Sequence, residues 1–236
     1  MTSFVLKCIA MVSMLIDHIS ISCIKYTTFF NVIGRLAFPI FAYQISEGYI
    51  HTKNIKKYLF RLFLFALISQ IPFALFHSTF TSGFAFNIFG TLFLGLTSIY
   101  IYDSICKSNL KLTKNSKLNT LIGKLFGIFF AIFLGIISEI CHFDYGFFGV
   151  AIIFLFYFFK NDKIGMIISF ITACVIKYGI SIISNGFHYM YILLCLGTIF
   201  PIIFISLYNG KQGKKIKYLL YLFYPLHLLV LYFVFR

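Results

Sequence analysis

The chain has 236 residues, 61% of them hydrophobic and 11% charged, with 33 Phe, 16 Tyr, no Trp and a formal net charge of +14. So apolar a composition excludes a water-soluble domain. The positive charge argues for no nucleic-acid partner, because the basic residues gather in short loops between apolar runs and no binding motif accompanies them.

Runs near 20 residues, enough to cross a ~30 Å hydrocarbon core, predict spans at 4–24, 29–49, 58–76, 88–106, 121–141, 145–159, 164–183, 189–208 and 216–235. The fold class is therefore all-α: a polytopic transmembrane bundle of about nine helices, surrounded by membrane lipid. The first run is long enough to span and lacks a short apolar region followed by a small-residue cleavage site. It reads as a retained helix, with the mature chain starting at Met1. The sixth span is short for the core unless the bilayer thins or neighbouring helices cover its ends. The longest break, the polar basic stretch 107–124, is too short to form a domain, which leaves a single domain over 1–236.

An odd number of spans with a cytoplasmic N terminus puts 16 of the 20 basic residues on the inside: Lys7, Lys53, Lys56, Lys57, Arg61 and the lysines of 107–124, 160–163 and 211–217. Lys25, Lys177 and Arg236 fall toward the outside, and Arg35 lies within a span. That segregation is what the positive-inside rule requires, so the N terminus is expected to be cytoplasmic. The six cysteines contain no C-x-x-C pair and lie in or beside apolar runs, where Cys behaves as a small hydrophobe. Cys23 and Cys141 both fall near the outer face, where a bridge is conceivable. No metal-ligand spacing occurs, so no metal site is expected.

Polar groups inside the spans carry the functional signal, because an ionisable residue at membrane depth costs several kcal/mol unless it is partnered. Asp17 and His18 lie together in the outward half of the first span. Arg35, in the second span, comes to a similar depth at 1.5 Å per residue, which makes an Asp17–Arg35 ion pair available and leaves His18 uncommitted. Gln70, His77, Asn87, Glu139, His142, Asp144 and Lys177 also lie outward of the midplane, and His227 is near the middle of the last span. Their convergence predicts an aqueous cavity opening outward. Glu47 and His51, four apart on one helix face, sit on the inward side with the lysines that follow them. Each of these has a plainer reading: Asp17 with Arg35 as a buried clamp, Glu47 with His51 as an interfacial hydrogen bond, and His77, His142 and His188 as ordinary interfacial histidines.

Four stretches, MLIDHIS (14–20), GRLAFPIFAYQISEGYIHTKNIKKYLFRLFLFALISQIPFAL (34–75), FDYGFFGV (143–150) and KYLLYLFYPLHLLVLY (217–232), resemble the TraX family, named for a protein that acetylates the N terminus of pilin. The resemblance implies a multi-pass protein of the bacterial cytoplasmic membrane that uses acetyl-CoA. In outline the chain is also similar to the membrane acyltransferases that modify surface sugars, with an essential histidine on the first helix and a Tyr-x-x-His element late in the chain. His18 and the pair Tyr224 and His227 match those places.

The resemblance thus implies His18 as general base, Asp17 and Arg35 holding the local charge, and Tyr224 or His227 stabilising a thioester oxyanion. It implies Glu47, His51, Lys53, Lys57 and Arg61 as the surface that meets cytoplasmic acetyl-CoA. The expected acceptor is an amine or hydroxyl of a peptide, a pilin-like protein or a surface glycan, a choice that the resemblance does not carry over. The rival reading from the residues is a transporter or an assembly factor for a surface structure, in which the buried ionisable groups form a substrate or proton path.

Overall fold

The computed structural model of the chain describes residues 1–23, 28–81, 83–108 and 115–236, the side chains of Cys23 and Lys217 excepted. Lys25, Lys111, Lys114 and the Cys23 thiol, used above for topology and a disulfide, lie outside the described residues. Among the described residues the elements are α1 (Ser3–Cys23), α2 (Thr28–Gly34), α3 (Ala37–His51), α4 (Ile55–Phe80), α5 (Ile88–Lys107), α6 (Ser116–Ile140), α7 (Gly146–Phe158), α8 (Lys163–Asn185), α9 (Tyr189–Ile199), α10 (Pro201–Ser206) and α11 (Lys217–Phe235). These correspond to the nine predicted spans, two of which are broken.

Prolines explain both breaks. In a continuous helix the ring of Pro39 would meet the carbonyl of Arg35 and offer it no N–H, so the second span divides into α2 and α3 around Arg35 and Leu36. Pro201 divides the eighth span at Phe200 and starts α10 at its first position, where a missing N–H costs nothing. Seven rods, with α9 and α10 counted together, are long and apolar enough to cross a membrane. The molecule is a multi-pass membrane protein, and α7, at 13 residues, is the short span that the sequence predicted.

Small residues let the backbones approach. Gly123, Gly127, Ala131 and Gly135 form one buried stripe on α6 at i, i+4 spacing, with Tyr102 of α5 over Gly127 and Phe147 of α7 over Gly135. The opposite face of α6 carries Leu125, Phe126, Phe129 and Phe133, all exposed as lipid-facing residues are.

One end of the bundle is level and the other is not. Asn87, the N-cap of α5, is buried and donates through Nδ2 to the Ala66 carbonyl (2.6 Å) and to Gln70 Oε1 (2.7 Å), while its Oδ1 accepts the Phe89 amide (3.0 Å). The start of α5 is thereby fixed beside the middle of α4, which continues for ten more residues, or roughly 15 Å, beyond Gln70. The α6–α7 connection is bolted to the same level. Phe86 and Phe143 form an isolated bridge, and the Thr91 hydroxyl donates to the Asp144 carbonyl.

On the outer side the α5 start and the α6–α7 connection are therefore recessed relative to the outer turns of α4. Replacing Asn87 by alanine removes the cap and the Nδ2 donor to the Ala66 carbonyl and to Gln70, which keeps only the backbone amide of residue 87 as its donor. The loss should be about 2–3 kcal/mol, read as a lower thermal midpoint of helical circular dichroism in detergent. An unchanged midpoint would contradict this assignment of the α5 start.

Candidate functional site

Two histidines from opposite ends of the sequence meet inside the bundle. His18 is on the fifth turn of α1 and His227 near the middle of α11, two residues after Pro225, whose ring removes a helical bond to the Tyr221 carbonyl. His227 Nε2 lies 2.9 Å from His18 Nδ1, and His227 Nδ1 lies 2.7 Å from the carbonyl oxygen of Phe223. A carbonyl only accepts, so His227 carries its proton on Nδ1. In the neutral ring Nε2 is then an acceptor, and the hydrogen bond between the rings must be donated by His18 Nδ1–H. That leaves His18 Nε2 with a bare lone pair.

His227 is 6% exposed, stacked on Phe223 and 5.7 Å from the buried Tyr224 ring. His18 is half-buried, with the edge of Phe76 against it. Tyr224 itself comes within hydrogen-bonding reach of the Ile88 backbone at the start of α5.

Asp17 faces away from this pair. Its carboxylate sits on Gly34 at the end of α2, where a methyl group on Gly34 would fall 2.5 Å from Asp17 Cβ, and Oδ1 is buried without a hydrogen-bond partner. The expected Asp17–Arg35 ion pair is not formed: among the described residues the ion pairs within 4.0 Å are Glu47–His51 and Asp103–Lys107. The physical reason is the Pro39 break. It ends α2 at Gly34, so the carboxylate rests on helix backbone one residue short of Arg35, whose Nε is likewise buried without a partner. The two charges still interact through space, and Arg35 also feels Tyr145, Tyr178 and Asp144.

Toward the basic end an inward cavity of about 360 Å³ is lined by Glu47, His51 and Arg61 together with Lys7, Gln44 and Tyr58. Three of the five residues expected to meet acetyl-CoA are thus brought together. Lys53 and Lys57 are exposed and lie outside its lining. His51 Nδ1 is 3.0 Å from the Glu47 carbonyl and 3.7 Å from its carboxylate. Two donors in this cavity, Arg61 Nε and Gln44 Nε2, are buried without partners.

Phe89, Leu92 and Tyr221 also line the cavity; Tyr224 packs edge-on against Phe89, with ring centroids 5.4 Å apart. The histidine pair is outside this cavity's lining and lies one aromatic layer beyond it.

Toward the opposite end a second, outward cavity of about 1040 Å³ is bounded by His77, Glu139, His142, Asp144, Tyr145 and Lys177 among others, whereas Gln70, Asn87 and His227, expected to converge with them, do not line it. Sequence reasoning placed several of these groups outside the midplane but gave none of them a role. Tyr145 is a non-glycine residue at φ +64°, costly for so bulky a side chain; it is held by stacking on Phe38 at 3.9 Å and by the Lys177 ammonium at 4.9 Å from its ring. The motif FDYGFFGV carried that signal, since Gly146 follows with a positive φ of its own.

Burial pushes the Asp144 carboxyl, in the connection between α6 and α7, up to about 6 against the opposing pull of Arg35 and Lys177. A carboxyl whose folded pKa lies above its unfolded value stabilises the fold fully below the unfolded value, and that contribution is lost as pH rises through the folded one. Asp144→Asn should therefore raise the unfolding temperature at about pH 8, by the equivalent of about 1–2 kcal/mol, and the advantage should vanish below about pH 4. An equal advantage at both pH values would contradict the assignment.

The family model described as "TraX protein" matches residues 3–235. Over 257 aligned residues the chain is 25% identical to "Probable fimbrial assembly protein FimC, serogroup H1" of Dichelobacter nodosus, covering 98% of this chain and 94% of that protein. No solved structure matches.

Proposed function

The chain belongs to the TraX family, and from that premise we propose that it is an acetyltransferase of the bacterial cytoplasmic membrane. It would move an acetyl group from cytoplasmic acetyl-CoA to an amine or hydroxyl of a peptide, a pilin-like protein or a surface glycan. The observation that carries this reading is the His18–His227 pair, because its hydrogen-bond pattern leaves an unprotonated nitrogen on His18. The similarity to a fimbrial assembly protein favours an acceptor in a pilus-related process.

In this reading the CoA phosphates meet Arg61 and Lys7 at the inward cavity, with Lys53 and Lys57 on the surface outside it. From Ser3 to His18 is on the order of 20 Å along α1, a span that an extended pantetheine arm roughly covers. The thioester passes the Phe89–Tyr221 layer to reach the pair. His18 Nε2 takes the proton of the acceptor amine or hydroxyl as its nitrogen or oxygen attacks the thioester carbon. The His18 imidazolium, its Nδ1–H bonded to His227, then returns that proton to the departing CoA sulfur. Since His227 Nε2 already accepts from His18, it orients the base, and Tyr224 is the candidate donor to the oxyanion. Asp17 and Arg35 set the local field from the other face of α1.

The name of the fimbrial relative also favours a second reading, a non-enzymatic assembly factor or transporter. Acetyl-labelled acetyl-CoA incubated with the purified protein in detergent separates the two. The enzyme releases CoA in proportion to protein and time, whereas an assembly factor leaves the thioester intact.

A further inference from the structure

The outward cavity is a groove as well as a basin. Along α8 it is lined from Ser169 to Ser181, twelve residues or roughly 18 Å of helix, and across from it by Phe148, Ala151 and Leu155 of α7. Its sides face the bilayer, since Ile176 and Ile180 on α8 are more than half exposed. Its charged and titratable groups gather at the outer end.

There the Lys177 ammonium lies 4.3 Å from the Phe148 ring and 4.9 Å from that of Tyr145, and it belongs to neither of the two ion pairs formed within 4.0 Å among the described residues. Glu139, on α6, lines the same cavity. One of its carboxylate oxygens accepts the Phe147 amide at 2.7 Å. Asp144 adds a second carboxylate, and His77 and His142 complete the titratable rim.

Opposite charges that share a cavity without touching leave space for a ligand bearing both. The apolar slot beside them, open to the membrane, supplies the chain-binding half of such a ligand's site. We propose that this groove binds a membrane phospholipid whose headgroup carries a phosphate and a primary ammonium, with the phosphate at Lys177, the ammonium at Glu139 and an acyl chain along the α7–α8 face. A headgroup without the amine gives the Glu139 carboxylate no cationic partner. A quaternary ammonium, lacking N–H groups, gives the carboxylate no hydrogen bond.

The test uses the full-length protein, delipidated in detergent and titrated with mixed micelles containing phosphatidylethanolamine, phosphatidylcholine or phosphatidylglycerol, with thermal unfolding as the readout. Phosphatidylethanolamine should raise the midpoint most and at the lowest lipid fraction. Lys177→Met and Glu139→Gln should each weaken that apparent affinity about tenfold, the loss of one charge-assisted contact. The glutamine amide oxygen still accepts the Phe147 amide, so the start of α7 keeps its partner. An equal response to the three lipids, or a stronger one to phosphatidylglycerol, overturns the proposal without reference to any variant. So does unchanged phosphatidylethanolamine affinity in both variants. None of these readouts depends on acetyl transfer, so the lipid site and the proposed reaction succeed or fail separately.

Discussion

His18→Ala is expected to lower the rate of CoA release from acetyl-CoA by about 10²–10⁴-fold, the range over which a positioned general base acts. The protein should still elute as a single species with unchanged helical content. The effect belongs to kcat, because His18 lies one aromatic layer beyond the inward cavity where the donor is proposed to bind. His227→Leu should act differently. Without the Nε2 acceptor, the Nδ1–H tautomer of His18 is no longer enforced. The loss should be smaller and should change the pH profile, as expected of a residue that orients a base instead of touching the substrate. Full activity in folded His18→Ala protein would remove the imidazole from the reaction.

Gly34→Ala is the second large effect. The new methyl would fall 2.5 Å from Asp17 Cβ, well inside the distance real Cβ atoms keep, and the atom it meets is the base of the side chain, so rotation of the carboxylate does not relieve the overlap. Either α1 or α2 must move. On one side of that contact Asp17 faces α2, and on the other His18 faces α11, so displacement of α1 also breaks the 2.9 Å bond between the imidazoles. A destabilisation of about 3 kcal/mol is expected, with loss of turnover out of proportion to the unfolded fraction. Asp17→Gly combined with Gly34→Ala should recover much of the stability, and the coupling in that double-mutant cycle measures the contact directly. Additive effects of the two substitutions would show that the helices do not meet there.

The spans were legible because each is an apolar run of membrane length bounded by polar residues. The depth of each element was not. Nothing in the composition of 81–87 tells that Asn87 caps a helix starting beside the middle of its neighbour, since that follows from hydrogen bonds to Ala66 and Gln70 that only the packed structure supplies. The Pro39 break was readable in principle. Its consequence for the Asp17–Arg35 pair was not, because a depth estimate at 1.5 Å per residue assumes one continuous helix.

At the site, residue type and depth left His18 as one uncommitted polar group among several, and the family resemblance made it the leading candidate and paired it with Tyr224 and His227. Their direct contact depends on the packing of α1 against α11. Lys177 and Tyr145 went without a role because a lysine late in a span looks like an interfacial residue. Only the fold carries its ammonium onto the faces of Tyr145 and Phe148.

The proposed chemistry depends on the protonation pattern of two rings, and nitrogen-15 NMR of histidine-labelled protein near neutral pH, with His18→Ala and His227→Ala used for assignment, reads that pattern directly. His18 should give a protonated signal at Nδ1 and an unprotonated signal at Nε2, with His227 showing the same tautomer through its bond to Phe223. A proton found on His18 Nε2 would leave no base facing the substrate and would contradict the mechanism.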